Sequence, residues 1–267
     1  MRTLLAATAA AVALAAVWAT TAPAATTAVS SNWAGYAVTG STYSKVTGTW
    51  VQPTASCTSV SSTTASAFWV GLGGDSTSST ALEQVGTEAD CNGDGTVSYS
   101  AWYELVPDAA VKVPLAVSPG NTISATVVVE ATKVTVQIRN VTTGASFRKT
   151  LTMSNPDTSS AEWIAEAPSV ETRFGMETLP LTDFGTVKFT NAVATSTAGV
   201  TSSVSSARRQ VEKLTLVSTS SGDGRFAAFT APATAVPSAL GSGGKSFSVT
   251  WKQLSSSAAG GPPGRFF

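Results

Sequence analysis

The chain contains no histidine. That absence removes every Ser-His-Asp or Cys-His catalytic arrangement, because imidazole is the base that activates the nucleophile. It also removes zinc sites built on histidine ligands. A hydrolase made from this sequence has only carboxylates, amides, hydroxyls and amines to work with. Charge is scarce as well: 12% of residues are charged, with acids and bases balanced at 16 each. Nucleic-acid binders carry a basic patch or stripe, and no such footprint is present, so no nucleic-acid partner is expected. Neither a metal nor a cofactor is expected. The run Asp90-Cys-Asn-Gly-Asp-Gly95 offers oxygen ligands, but it lacks the closing Glu and flanking helices of an EF-hand and reads as a turn.

Long apolar runs are confined to the first segment. Met1-Arg2 precedes an apolar stretch from Leu4 to Trp18, and small residues follow from Thr20 to Ala25. This is the layout of a secretory signal peptide, assigned to residues 1–24. A bilayer span needs roughly 20 apolar residues, so no membrane anchor is expected. Export places the protein in an oxidising compartment, where the two cysteines, Cys57 and Cys91, read as a disulfide. A free catalytic thiol is the competing reading, and no base is available to activate it. The expected product is a secreted monomer with one domain over residues 25–254, followed by a loose tail of Ser, Ala, Gly and Pro over residues 255–267.

Period-two alternation runs through what remains. Thr122 to Glu130 and Val134 to Val141 read as consecutive half-buried strands, with a third over Ser146 to Met153. Further strands are expected over Val46–Val51, Ala67–Leu72, Val97–Leu105, Glu162–Ala165, Val187–Thr190, Leu214–Ser218 and Phe247–Leu254. Gly, Pro, Asn and Asp punctuate the gaps. Only Ser202 to Leu214 offers an alternative helical reading. Many short strands with turn-rich spacing predict an all-β, two-sheet antiparallel sandwich.

Three patterns carry possible chemistry: Ala67-Phe-Trp-Val-Gly-Leu-Gly-Gly-Asp75, Leu82-Glu-Gln-Val-Gly86 with Tyr99-Ser-Ala-Trp-Tyr-Glu104, and Ser160-Ala-Glu-Trp-Ile-Ala-Glu-Ala-Pro168. Alternation puts Glu162, Ile164 and Glu166 on one sheet face, and Trp163 and Ala165 on the other. Trp102 and Glu104 likewise share a face, with Tyr103 pointing away.

Together with Ser31-Asn-Trp-Ala-Gly35, these patterns resemble the glutamic peptidases, the eqolisin family. The resemblance implies a concanavalin A-like, jelly-roll type sandwich with the active site on its concave face, and polypeptide substrates. It implies a catalytic dyad at Gln84 and Glu162, and a substrate groove involving Trp69, Trp102, Glu104 and Asp75. Where the fungal members carry further Asp residues, this chain has Gly73, Glu88 and Ser100. The chemistry is sound on its own terms. A carboxylate can take a proton from water and later deliver one to the departing amine. A carboxamide N–H can stabilise the oxyanion between those steps. The dyad is expected on adjacent strands, close enough to share one water.

Two other functions fit parts of the pattern. A lectin-like sandwich with exposed Trp could bind glycans without catalysis. A glycosidase would use Glu104 and Glu162 as its two carboxylates.

Overall fold

The alternation around residues 122–140 becomes an antiparallel strand pair in a computed structural model, which describes residues 25–57, 63–173, 175–206, 209–218 and 233–254. The signal segment and the C-terminal tail lie outside the described residues. The strands in chain order are β1 (Thr26–Ser30), β2 (Trp33–Thr39), β3 (Tyr43–Val51), β4 (Thr64–Gly73), β5 (Leu82–Cys91) and β6 (Val97–Val106). There follow β7 (Val111–Val113), β8 (Thr122–Glu130), β9 (Lys133–Asn140), β10 (Ser146–Thr152), β11 (Ala161–Glu166) and β12 (Ser169–Thr172). The last six are β13 (Gly175–Thr178), β14 (Thr186–Ser196), β15 (Thr201–Ser203), β16 (Gln210–Ser218), β17 (Ala233–Pro237) and β18 (Phe247–Gln253).

One sheet of 16 strands runs β10-β9-β8-β3-β14-β18-β17-β16-β2-β11-β4-β5-β6-β7, with β1 beside β16 and β15 beside β14. It doubles over on itself, so that β3, β8 and β9 lie against β4 and β5. The two halves act as the two layers of a sandwich. Pairing is antiparallel except between β1 and β16, which run parallel. The β12–β13 hairpin stands apart as a two-stranded sheet.

The main core fills the space between the halves. Trp50 and Phe189 meet at 5.8 Å between ring centroids, Phe68 and Phe184 at 5.2 Å, and Phe189 and Phe247 at 5.1 Å. Trp163 and Tyr103 also point into this layer, as alternation requires. The helical alternative over residues 202–214 is not realised among the described residues: Val211 and Leu214 are instead paired along β2 with Val38 and Gly35. Long-range strand pairing outweighs the weak local helical preference of that segment.

Strand β5 is held at its far end by the disulfide between Cys57 and Cys91, whose Cα atoms are 5.4 Å apart across a sequence separation of 34. Cys91 is also the last residue paired with β4, opposite Thr64. The crosslink therefore pins the end of the β4–β5 ladder to the segment after β3. Closing a loop of this length stabilises a fold by about 2–4 kcal/mol, chiefly by restricting the unfolded chain. The double substitution Cys57→Ser, Cys91→Ser is expected to lower unfolding free energy by that amount in urea titrations. A change below about 0.5 kcal/mol would show that the crosslink does not constrain the unfolded chain.

Candidate active site

The register of four strands assembles a patch on the face of the second half-sheet turned away from the main core. Glu162 on β11 lies opposite Gly71 on β4, Gly71 opposite Gln84 on β5, and Gln84 opposite Glu104 on β6. The next row on the same face is Ile164, Trp69, Gly86 and Trp102, and the one beyond is Glu166, Ala67, Glu88 and Ser100. Large and small residues alternate across these rows. Gly71 separates the two dyad candidates, Gly86 separates two tryptophans, and Ala67 separates two carboxyls. The small positions give the neighbouring side chains room to lean over the sheet.

Glu162 and Gln84 are thus not on adjacent strands, because β4 runs between them. Strand spacing puts their backbones about 10 Å apart. Gly71 contributes no side chain to that gap. A Cβ built there would lie 2.9 Å from the Trp69 ring, 3.0 Å from Leu82 Cδ1 and 3.3 Å from Gln84 Cβ. The Trp69 indole and Leu82 therefore use the space that glycine leaves.

A groove of about 480 Å³ opens above this patch, lined by Asn32, Trp33, Gln84, Trp102, Glu104 and Glu166 among others. Glu162 and Trp69 are not lining residues; both are fully buried. Asp75 follows Gly74 in the β4–β5 turn, beyond the end of β4. The structure thus gathers Gln84, Trp102 and Glu104 in the groove, sets Glu162 and Trp69 beneath it, and leaves Asp75 at one end.

Hydrogen bonds fix most of these side chains. Gln84 Nε2 donates to Glu104 Oε2 at 2.5 Å. Trp69 Nε1 donates to Glu166 Oε2 at 2.7 Å, and Asn32 Nδ2 to Glu166 Oε1 at 3.2 Å. Trp33 packs edge-on against Trp69 with centroids 5.0 Å apart. Three groups in the site lack a hydrogen-bond partner among the described residues: both carboxylate oxygens of Glu162, Gln84 Oε1 and Trp102 Nε1. A buried polar atom without a partner is costly, and such atoms concentrate where a ligand or water completes the site.

Burial dominates the electrostatics. Desolvation holds the Glu162 carboxyl well above the ordinary carboxylate range; the Ser160 hydroxyl opposes this, and Asp75, Asp157 and Glu83 add to it. Desolvation pushes Glu166 up to about 8 against the opposing hydrogen bond from Trp69. Glu104 and Glu88 are raised by burial too, with Gln84 and Ser100 respectively pulling the other way. Below the groove, burial takes Glu83 to about 8, and at the end of β5 it takes Asp90 to about 7.

Residues 31–225 match the family model for the Peptidase A4 family. The chain belongs to the Peptidase A4 family. Aspergillopepsin-2 of Aspergillus niger is 36% identical over 191 residues, a match covering 62% of this chain and 65% of that protein. The shared segment therefore spans slightly less than two thirds of this curated relative. A scytalido-glutamic peptidase structure with a transition state analog inhibitor superposes with a TM-score of 0.65 at 27% identity, covering 83% of this chain and 98% of the other. SCP-B, an eqolisin in complex with the tripeptide Ala-Ile-His, gives a TM-score of 0.59 at 28% identity over the same shares. The all-β fold expected from the sequence is thus that of the family.

Two features escaped the reading of the sequence. Gly71 lies inside β4, within the strand expected over Ala67–Leu72, but its place between Glu162 and Gln84 was not expected. A glycine in a strand interior marks a close approach by other groups, and that signal was available. Asp157 and Ser79 had no pattern to single them out, because their meeting depends on the packing of two loops.

The buried carboxyls set a pH dependence for stability. Glu83 and Glu166 take up a proton more readily in the folded state than at their ordinary value near 4.5. The folded state therefore binds more protons than the unfolded chain between about pH 4.5 and about pH 8, and stability is full below that window and falls as pH rises through it. Each group contributes a slope of up to about 1.4 kcal/mol per pH unit. Urea titrations across this range are expected to show loss of stability on the alkaline side, with a shallower fall in Glu83→Gln. A stability that rises through the same window would contradict the buried, proton-holding arrangement.

Proposed function

We propose that this protein is a secreted, acid-acting endopeptidase in which Glu162 and Gln84 hydrolyse peptide bonds. The supporting observation is the row Glu162, Gly71, Gln84, in which two groups with unpartnered oxygens flank a position that has no side chain. A water held by Gln84 Oε1 and the Glu162 carboxylate would give those oxygens their missing partner. Glu162 takes a proton from that water as its oxygen attacks the peptide carbonyl carbon. The carbonyl oxygen becomes an oxyanion, stabilised by an N–H of the Gln84 amide. A primary amide has two such donors, and Glu104 takes only one of them. Glu162 then returns the proton to the amide nitrogen as the C–N bond breaks, which regenerates the carboxylate.

Burial favours the protonated form of Glu162 in the empty site. Hydrogen-bond donors brought by water and substrate favour the ionised form, so that the proton leaves to solvent as substrate binds and the carboxylate is ready as the base. The acid preference follows from the walls. Glu88, Glu104, Glu166 and Asp108 line the groove, and no Lys or Arg is among its described lining residues. As pH rises Glu88, Glu104 and Glu166, whose proton affinity burial raises, ionise in turn, and their repulsion opposes the ionised Glu162 and any acidic substrate. The family relatives crystallised with a transition state analog and with a tripeptide support polypeptide as the substrate class. The disulfide supports an extracellular setting.

The rival readings have less support. A glycosidase pairing Glu104 with Glu162 needs carboxyls at most about 9.5 Å apart. These two are three strand steps apart, which is about 14 Å between backbones. A glycan-binding platform needs exposed tryptophan faces, whereas Trp33, Trp69 and Trp102 are 3%, 0% and 4% exposed.

Cleavage of a denatured protein substrate from about pH 2 to about pH 7 tests the proposal. The wild type is expected to peak on the acid side. Glu162→Gln should abolish turnover, and Gln84→Ala should lower kcat by about 10²–10³, the cost of losing one oxyanion donor. Both variants should keep the wild-type circular dichroism. Full activity in folded Glu162→Gln would sink the mechanism.

A further inference from the structure

The connection between β4 and β5 forms one end of the groove, through Gly74, Ser79, Thr80 and Ala81. Its shape is set by a residue from a different part of the chain. Asp157, in the segment between β10 and β11, accepts hydrogen bonds at Oδ2 from the Ser79 hydroxyl and from Gly74 N, the latter at 3.3 Å. Its Oδ1 accepts from Ser159 N at 2.8 Å, and its own backbone N donates to Glu83 Oε1 at 3.1 Å. The Ser79 oxygen in turn accepts from Ala81 N at 3.5 Å, carrying the clasp on to the start of β5.

Space for this carboxylate exists because residue 73 is glycine. A Cβ at Gly73 would lie 2.5 Å from Asp157 Cβ and 2.8 Å from Asp157 O. Gly73 also has a φ of +81°, in the left-handed region that glycine adopts without penalty. Burial alone would raise the Asp157 carboxyl, but its hydrogen bonds from Ser79, Ser159 and Gly74 more than reverse this and keep it ionised. Asp157 therefore meets the turn as a carboxylate that accepts from Ser79, Gly74 and Ser159.

We propose that Asp157 is a positioning residue of the active site, clasping the β4–β5 turn from the place that Gly73 leaves open and so holding one end of the groove. The proposal rests on the peptidase reading for its consequence in catalysis, but not for the hold on the turn. Asp157 is itself held from β5, where Glu83 Oε1 accepts from its backbone N. Its negative charge also adds to the proton affinity of Glu162, after burial and Asp75.

The test uses the full-length secreted protein, with kcat and KM for a peptide substrate and amide hydrogen exchange in the β4–β5 turn as readouts. In Asp157→Ala, loss of the carboxylate should speed exchange of the Gly74 amide, which donates to it. KM should rise as the turn loosens, with kcat much less affected. Ser79→Ala, which removes the hydroxyl that Asp157 holds, should act in the same way, and combining it with Asp157→Ala should cost little more than either change alone, a coupling that independent sites would not show. Unchanged KM and unchanged Gly74 exchange in folded Asp157→Ala would overturn the proposal. If that variant does not fold, unchanged KM and exchange in Ser79→Ala overturn it instead. Absence of cleavage by wild type would defeat the peptidase reading only, because hydrogen exchange reads the clasp without turnover.

Discussion

Everything at the site depends on the register between β11, β4, β5 and β6. Side chains alternate between faces with a period of two, so a slip of one residue would move a whole set to the opposite face. Glu162 would then enter the aromatic core, and Trp163 would leave it. The correct register puts Glu162, Gly71, Gln84 and Glu104 in one row on the same face. Several unrelated features enforce it. Trp163 is anchored from the core side by donating its Nε1 to Thr47 O at 2.8 Å. Trp50 Nε1 donates to Thr87 at 3.0 Å, fixing β5 against β3. The disulfide closes the far end of the β4–β5 ladder.

With the register fixed, burial does the chemical tuning that histidine performs in other hydrolases. The chain has no imidazole, and the site is not built on lysine. Its carboxyls are shifted mainly by removal from water, with individual hydrogen bonds and neighbouring charges as corrections. The same shifts tie stability to function. Carboxyls that hold protons in the folded state favour that state in acid, where the proposed reaction runs. A protein that unfolds in acid because its carboxylates must be protonated against their native partners has the opposite arrangement. Here acid relieves the cost of burying Glu83, Glu162 and Glu166.

The sequence made some of this legible and not the rest, for physical reasons. Long alternating segments such as Thr122–Glu130 announce themselves because one face is buried and the other is wet, and the structure places β8 over those residues. Strand β4 is buried along its whole length, and β5 nearly so, so neither shows clean alternation. For β4 the central apolar run was readable, whereas β5 was not among the expected strands and only its Leu82–Gly86 segment stood out. The faces of Glu162, Trp163, Trp102 and Tyr103 followed from period two alone. The intervening β4 did not, because strand order is a long-range property that local pattern does not encode. Glu166 stood out as a carboxyl, but its tie to Trp69 and Asn32 links three strands and needs the assembled sheet.

Glycine explains why an acid cluster of this kind can exist in a sheet at all. Adjacent strands bring neighbouring side chains within about 5 Å. Three ionisable or amide groups side by side would crowd and repel. At Gly71, omission of a side chain opens the space between Glu162 and Gln84, and Trp69 and Leu82 lean into it from the flanks. At Gly73, omission admits a carboxylate from the β10–β11 segment, so that a charge reaches the turn from outside the strand pair. The two glycines do different work two residues apart on one strand. One gives Trp69 and Leu82 room between the reacting groups, and the other lets a distant part of the chain reach in. The absence of side chains at these positions is as much a part of the site as the dyad that it separates.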